Sequence, residues 1–143
     1  MPALQQAGQV EYQRLVDQGY DIALAKKERG GYRGPYVRRT MGNEVDQFAR
    51  NGMENWFANE GVSLGSNGPG VFVNNRLYNG DESKWRVPDV RIGDRIYDAS
   101  LASKNENTAQ IRDFFRFGNP RMVTIVQPSH MGGAYDIPRP NGL

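Results

Sequence analysis

The sequence predicts an α+β domain, α/β-like in its second half, with a central mixed sheet of about four strands flanked by helices. Three observations lead there. Residues 3–28 and 43–59 carry apolar side chains at helical spacing. Residues 71–102 instead alternate apolar and polar positions between Gly- and Asp-containing turns. A helical pattern at 106–117 is then followed by the β-branched run RMVTIVQ, 121–127. A strand–helix–strand crossover of this kind calls for parallel pairing of its two strands.

The first helix, 3–28, places Val10, Leu15, Val16, Ile22, Ala23 and Leu24 at helical spacing, with Gly19 expected to break it in two. A loop over 30–37 follows. The second helix, 43–59, has Asn43 as a candidate N-cap and a stripe of Val45, Phe48, Ala49, Trp56 and Phe57. Glu44 and Asp46 would then lie in its first turn, where the helix dipole favours acids. GVSLGSNGPG, 61–70, is loop by composition; strands are expected at 71–78, 85–92 and 95–102, with a turn at 79–83. Gly93–Asp94 closes a hairpin between the last two, and Pro88 requires an edge, a bulge or a strand break. Phe114, Phe115 and Ile111 face inward from the third helix, and the tail 128–143, rich in Pro and Gly, reads as an irregular wrap. Residues 1–40 read as an N-terminal helical segment or linker, and 41–143 as the domain proper.

Composition narrows the chemistry. The chain has 143 residues, no Cys and a single His, His130. Disulfide scaffolds, thiolate zinc sites, Cys nucleophiles, zinc deaminases and two-His ribonuclease chemistry are thereby excluded. Catalysis must fall to carboxylates, Lys, Arg, Tyr, Ser or Gln. Mean hydropathy is −0.71 and no apolar run reaches the ~18 residues of a membrane span. The N-terminus lacks a basic-then-apolar signal pattern, so no signal peptide is expected. Net charge is +2, which fits a nucleic-acid partner without requiring one. Within KKERGGYRGPYVRR, 26–39, Tyr32 and Tyr36 are interleaved with Arg and Lys. That pattern suits phosphate contact and base stacking, and equally a solvated linker.

The hairpin RVPDVRIGDRIYDASLASK, 86–104, carries the sharpest signal. Asp89 and Asp98 flank the turn at similar distances, so both carboxylates can lie at one end of adjacent strands. Two such acids repel unless a cation joins them, and Mg²⁺ takes oxygen ligands while keeping several waters. The alternative is a pair of solvated turn acids.

The segment PD…IYDASLASK…Q resembles the PD-(D/E)xK superfamily of restriction-endonuclease-like nucleases, in particular the nuclease domains that end bacterial polymorphic toxins. The resemblance covers about residues 42–128 and implies a restriction-endonuclease-like core. Pro88–Asp89 matches the PD pair and Asp98 the second acid. Ser100 stands where the motif has Lys, and Lys104 is the residue that would reach back in its place. Gln110 with Phe114 is similar to the QxxxY helix motif, and Glu44 to the acid of the first core helix. The implied site is catalytic Asp89, Asp98, Lys104, Gln110 and Glu44, with Asp89, Asp98 and Glu44 holding Mg²⁺ (or Mn²⁺). Arg33, Arg38, Arg39, Arg76 and Arg86 would hold nucleic-acid phosphates. The resemblance further implies a secreted effector, delivered by a larger carrier polypeptide or secretion apparatus, that acts in the cytoplasm of a target bacterium and is neutralised by a cognate immunity protein. DNA is the favoured substrate; tRNA or other RNA, and a catalytically inactive nucleic-acid- or protein-binding module, are the alternatives. ADP-ribosyl transfer is disfavoured by the lack of an ExE segment after a Ser/Thr-rich strand.

Overall fold

The computed structural model describes residues 1–65, 70–80 and 83–143. Parts of the 61–70 loop and of the 79–83 turn expected from sequence lie outside the described residues.

Helix α1 runs unbroken from Pro2–Glu28, and α2 from Val37–Asn59. Gly19 does not break α1, because it is a contact point rather than a hinge. A Cβ there would sit 3.0 Å from Phe48 Cδ1 on α2. Gly52 of α2 similarly receives Leu15 of α1, whose Cδ2 lies 2.5 Å from where a Cβ would be. Close helix approach thus outweighs the roughly 1 kcal/mol helix penalty of glycine. Helix α2 also begins before Asn43, so Asn43 is an interior residue rather than the N-cap. Its buried stripe is Met41, Val45, Ala49, Met53 and Phe57, at every fourth position. Phe48 and Trp56 pack partly buried beside it.

Two expected long strands are each divided. Residues 71–78 become β1 (Val71–Val73) and β2 (Leu77–Tyr78), separated at Asn74, whose φ of 54° leaves the β region. Residues 85–92 become β3 (Trp85–Arg86) and β4 (Val90–Ile92), broken around Pro88. β2 and β3 pair as a separate ribbon that packs on the third helix. β4 turns through Gly93, at φ 60°, into β5 (Arg95–Ala99). Helix α3 (Ala109–Gly118) then leads to β6 (Met122–Val126), which pairs parallel with β5 as the crossover requires.

The tail corrects the expectation of an irregular wrap. After a short 3-10 turn at Ser129–Met131, β7 (Ala134–Pro138) pairs antiparallel with β6. The mixed sheet therefore has five strands, in the order β1-β4-β5-β6-β7, within an α+β fold. Its two faces are filled differently. α1 and α2 cover one with Tyr12, Val16, Val45 and Phe57 against Val90, Ile92, Tyr97 and Val126. α3 covers the other with Ile111, Phe114 and Phe115 against Ile96, Val123, Ile125 and Ile137. Burying each of the three α3 side chains contributes about 1.5–3 kcal/mol. α1 shares its core with the sheet, and the boundary expected at residue 40 falls inside α2. Among the described residues no helix is long and apolar enough to cross a membrane.

Candidate functional site

Strand register brings the two hairpin aspartates together. Val90 pairs with Tyr97, and one further step sets Asp89 opposite Asp98. The Asp89 amide donates to Asp98 Oδ1 at 3.2 Å. Asp89 Oδ2 accepts from the Ala99 amide at 2.9 Å and from the Tyr12 hydroxyl at 2.7 Å, while Oδ1 faces Arg50 Nη1 at 3.5 Å. The side chains are nearly closed off from water: Asp89 is 3% exposed and Asp98 4%.

Lys104 does reach this pair. Its Nζ lies 3.6 Å from Asp98 Oδ2 and donates to Gln110 Oε1 at 2.8 Å. The chain between is folded back by Ser100, whose Oγ donates to the Ala102 carbonyl at 2.6 Å and accepts from its amide at 3.1 Å. The Tyr135 hydroxyl from β7 then clamps the Lys104 backbone, donating to its carbonyl at 2.9 Å and accepting from its amide at 2.7 Å. Ser100 is therefore a turn former. Gln110, in the first turn of α3, holds the ammonium in place.

Helix α2 adds Asp46 and Arg50, one turn apart and flanking its buried stripe. Burial, then the charge of Asp89, pushes the Asp46 carboxyl up to about 8, against the pull of Arg50 and Lys104. Burial, then Asp89, likewise raises Asp98 well above the ordinary carboxylate range. Asp89 is raised by burial, opposed by its bonds from Ala99 and Tyr12. The Tyr12 phenol is raised by burial first and by Asp89 next, so it stays a donor. Three acids thus face two cations, with Asp89 and Asp98 closed off from water, and the cluster is short of positive charge.

Glu44, expected in this group, stands apart. Two positions from Asp46 on a helix, it points to the other side of the stripe. Its carboxylate accepts from Lys26 Nζ at 2.7 Å and from the Tyr32 hydroxyl at 2.5 Å, and these bonds, Lys26's first, lower its pKa. His130 packs against the Tyr20 ring at 4.8 Å, outside the cluster.

An open cleft of about 560 Å³ leads to the cluster, lined by Asp46, Ser100 and Lys104 with Tyr36, Arg38 and Arg39. Arg38 Nη2 donates across it to the Leu101 carbonyl. Arg33 is exposed on the loop before α2. Arg76 and Arg86 do not line the cleft: Arg76 lies over the Trp85 ring at 4.6 Å, and Arg86 pairs with Asp113 of α3 at 2.8 Å. A larger cavity of about 660 Å³, lined by Gln residues of α1 with Arg95 and Arg121, includes none of the three acids. No protein-family model, curated protein or solved structure matches the chain.

The cluster suits a hard divalent cation in kind. Its donors are carboxyl oxygens whose ionisation is held back by burial and by one another, which a cation would relieve, and Mg²⁺ is commonly held by one or two carboxylates plus waters. Both oxygens of Asp89 already have protein partners, whereas Asp98 Oδ2 has, among the described residues, only Lys104 at 3.6 Å. Among the described residues no group of three or more acidic, His or Cys side chains is gathered tightly enough to form a ready-made cage. Sequence reasoning missed Tyr12, Arg50 and the role of Asp46. The available signal was the Asp46–Arg50 spacing beside a buried helical stripe.

Proposed function

We propose that this chain is a metal-dependent nuclease that hydrolyses phosphodiester bonds in nucleic acid, with a restriction-endonuclease-like core. The observation that carries the reading is the convergence of Asp89, Asp98, Lys104 and Gln110, from four separate points of the sequence, beneath a cleft rimmed by Arg38 and Arg39. The element order and an acid on a covering helix support the same reading, with Asp46 taking the place expected for Glu44.

Asp98 with Asp89 beside it would hold Mg²⁺ or Mn²⁺ together with waters, Asp46 lying near, and the ion would supply Lewis-acid neutralisation of the phosphate and a more acidic water. Lys104 is placed by Gln110 to orient the attacking water and stabilise charge on the phosphoryl oxygens. Tyr12 and the Ala99 amide fix the Asp89 carboxylate, and Arg50 balances part of its charge. Arg38 and Arg39 attract the phosphate backbone without reading bases. DNA is the favoured substrate. The same reading makes the chain the toxic part of a delivered effector acting in the target-cell cytoplasm, held in check by an immunity protein in its producer.

The test is incubation of the protein and of Asp98→Ala with plasmid DNA and with total RNA, each in Mg²⁺ and in EDTA. Degradation of either substrate only by the parent and only with metal is expected. Intact substrates under all conditions would overturn the proposal.

A further inference from the structure

We infer that the cleft takes a strand whose bases are unpaired, with Tyr36 stacking on one of them; this rests on the nuclease reading and names its substrate form. Of the two tyrosines in the basic loop, Tyr32 is committed. Its hydroxyl donates to Glu44, and Lys26 Nζ sits 4.5 Å from its ring centroid. Tyr36 is 67% exposed and lines the cleft, and its side chain has no ring or hydrogen-bond partner among the described residues. An aromatic face held open on a cleft that Arg39 also lines, itself exposed and without an ion-pair partner among the described residues, is the arrangement on which successive bases stack in single-strand-binding proteins.

The depth of the acids points the same way. Asp89 and Asp98 are 3% and 4% exposed, behind a cleft of about 560 Å³. That volume is of small-molecule size. A duplex is stiff over about 150 base pairs and keeps its bases paired and stacked inside, away from the Tyr36 ring. An unpaired strand frees a base for Tyr36. DNA and RNA strands share this chemistry.

Binding of short fluorescein-labelled oligonucleotides to Asp98→Asn protein, followed by anisotropy at one fixed salt concentration, tests the inference. The probes are unpaired DNA, unpaired RNA and the corresponding hairpin duplexes; the tighter unpaired probe identifies the sugar. Unpaired strands are expected to bind at least about 10-fold tighter than duplexes. Tyr36→Ala in the same background should lose about 10-fold on unpaired strands and little on duplexes, and Tyr36→Trp should restore binding. Equal affinity for duplex and unpaired strand, or no effect of Tyr36→Ala, would overturn the inference. Metal-dependent cleavage of duplex plasmid without strand preference would sink this inference alone. Unpaired-strand binding by a parent that cleaves nothing would sink the nuclease reading and leave the binding site standing.

Discussion

Replacing Asp46 with Asn should stabilise the metal-free protein at neutral pH. In the fold the Asp46 carboxyl is raised from 3.8 to about 8, chiefly by burial and by Asp89. Between those values the unfolded chain has released this proton and the folded chain keeps it. Stability from Asp46 is therefore full below about pH 4 and is lost as pH rises toward about 8. A fully coupled proton gives about 1.4 kcal/mol per pH unit. Asp46 is only half-buried, so solvent screening cuts this roughly in half. At pH 7 the accumulated loss is then about 2 kcal/mol, or roughly 6 °C in Tm for a chain of this length. Asp46→Asn removes that share. Urea unfolding in EDTA, repeated across pH for parent and variant, reads it directly. Mg²⁺ should stabilise the parent by about 2.7 kcal/mol at a hundredfold excess over its dissociation constant, and the variant by less. If Asp46→Asn is neutral or destabilising at pH 7 and leaves the pH slope unchanged, the account of an acid cluster short of positive charge is refuted.

Four further outcomes follow from the same geometry. Glu44→Gln should retain nuclease turnover whereas Asp46→Asn should lose about 10²-fold in kcat, because only Asp46 belongs to the cluster; parallel steady-state assays decide it. Lys104→Met should lower kcat about 10²–10³-fold with little change in substrate affinity, measured by kcat and by anisotropy on the same probe. Tyr12→Phe should destabilise the protein by about 1–3 kcal/mol in urea unfolding at neutral pH, since it strips a buried carboxylate of a 2.7 Å donor. Gly52→Ala should cost about 1–3 kcal/mol in the same assay by driving a methyl into Leu15 between α1 and α2.

The hairpin and the crossover were legible because each rests on local signals. Gly93 supplies the turn, alternation sets the faces, and the register alone then puts Asp89 opposite Asp98. Lys104 could be named as a candidate, yet its approach depends on the Ser100 turn and the Tyr135 clamp, contacts that no spacing rule contains. Glu44 and Asp46 flank the same buried Val45 on opposite sides. Periodicity shows that both lie beside the stripe but not which one the sheet edge meets. β7 was illegible for another reason: Pro138, Gly132 and Gly133 signal a loop locally, and only the open edge of β6 makes 134–138 a strand.

Tyr12 shows why α1 cannot be treated as a linker in the chemistry of this site. Its ring is buried between the helical layer and the sheet, and its hydroxyl is committed to Asp89 Oδ2. The same bond is among the interactions that draw the Asp89 pKa down, against burial that drives it up. Removing α1 would expose the face of Val90, Ile92 and Tyr97 and strip Asp89 of a donor at once. The acid cluster and the first core therefore depend on one helix. A truncation lacking residues 1–28 is expected to lose cooperative unfolding and turnover together, as read by urea denaturation and by cleavage of an unpaired oligonucleotide on one preparation. A folded, active truncation would show that Asp89 is held by the sheet alone.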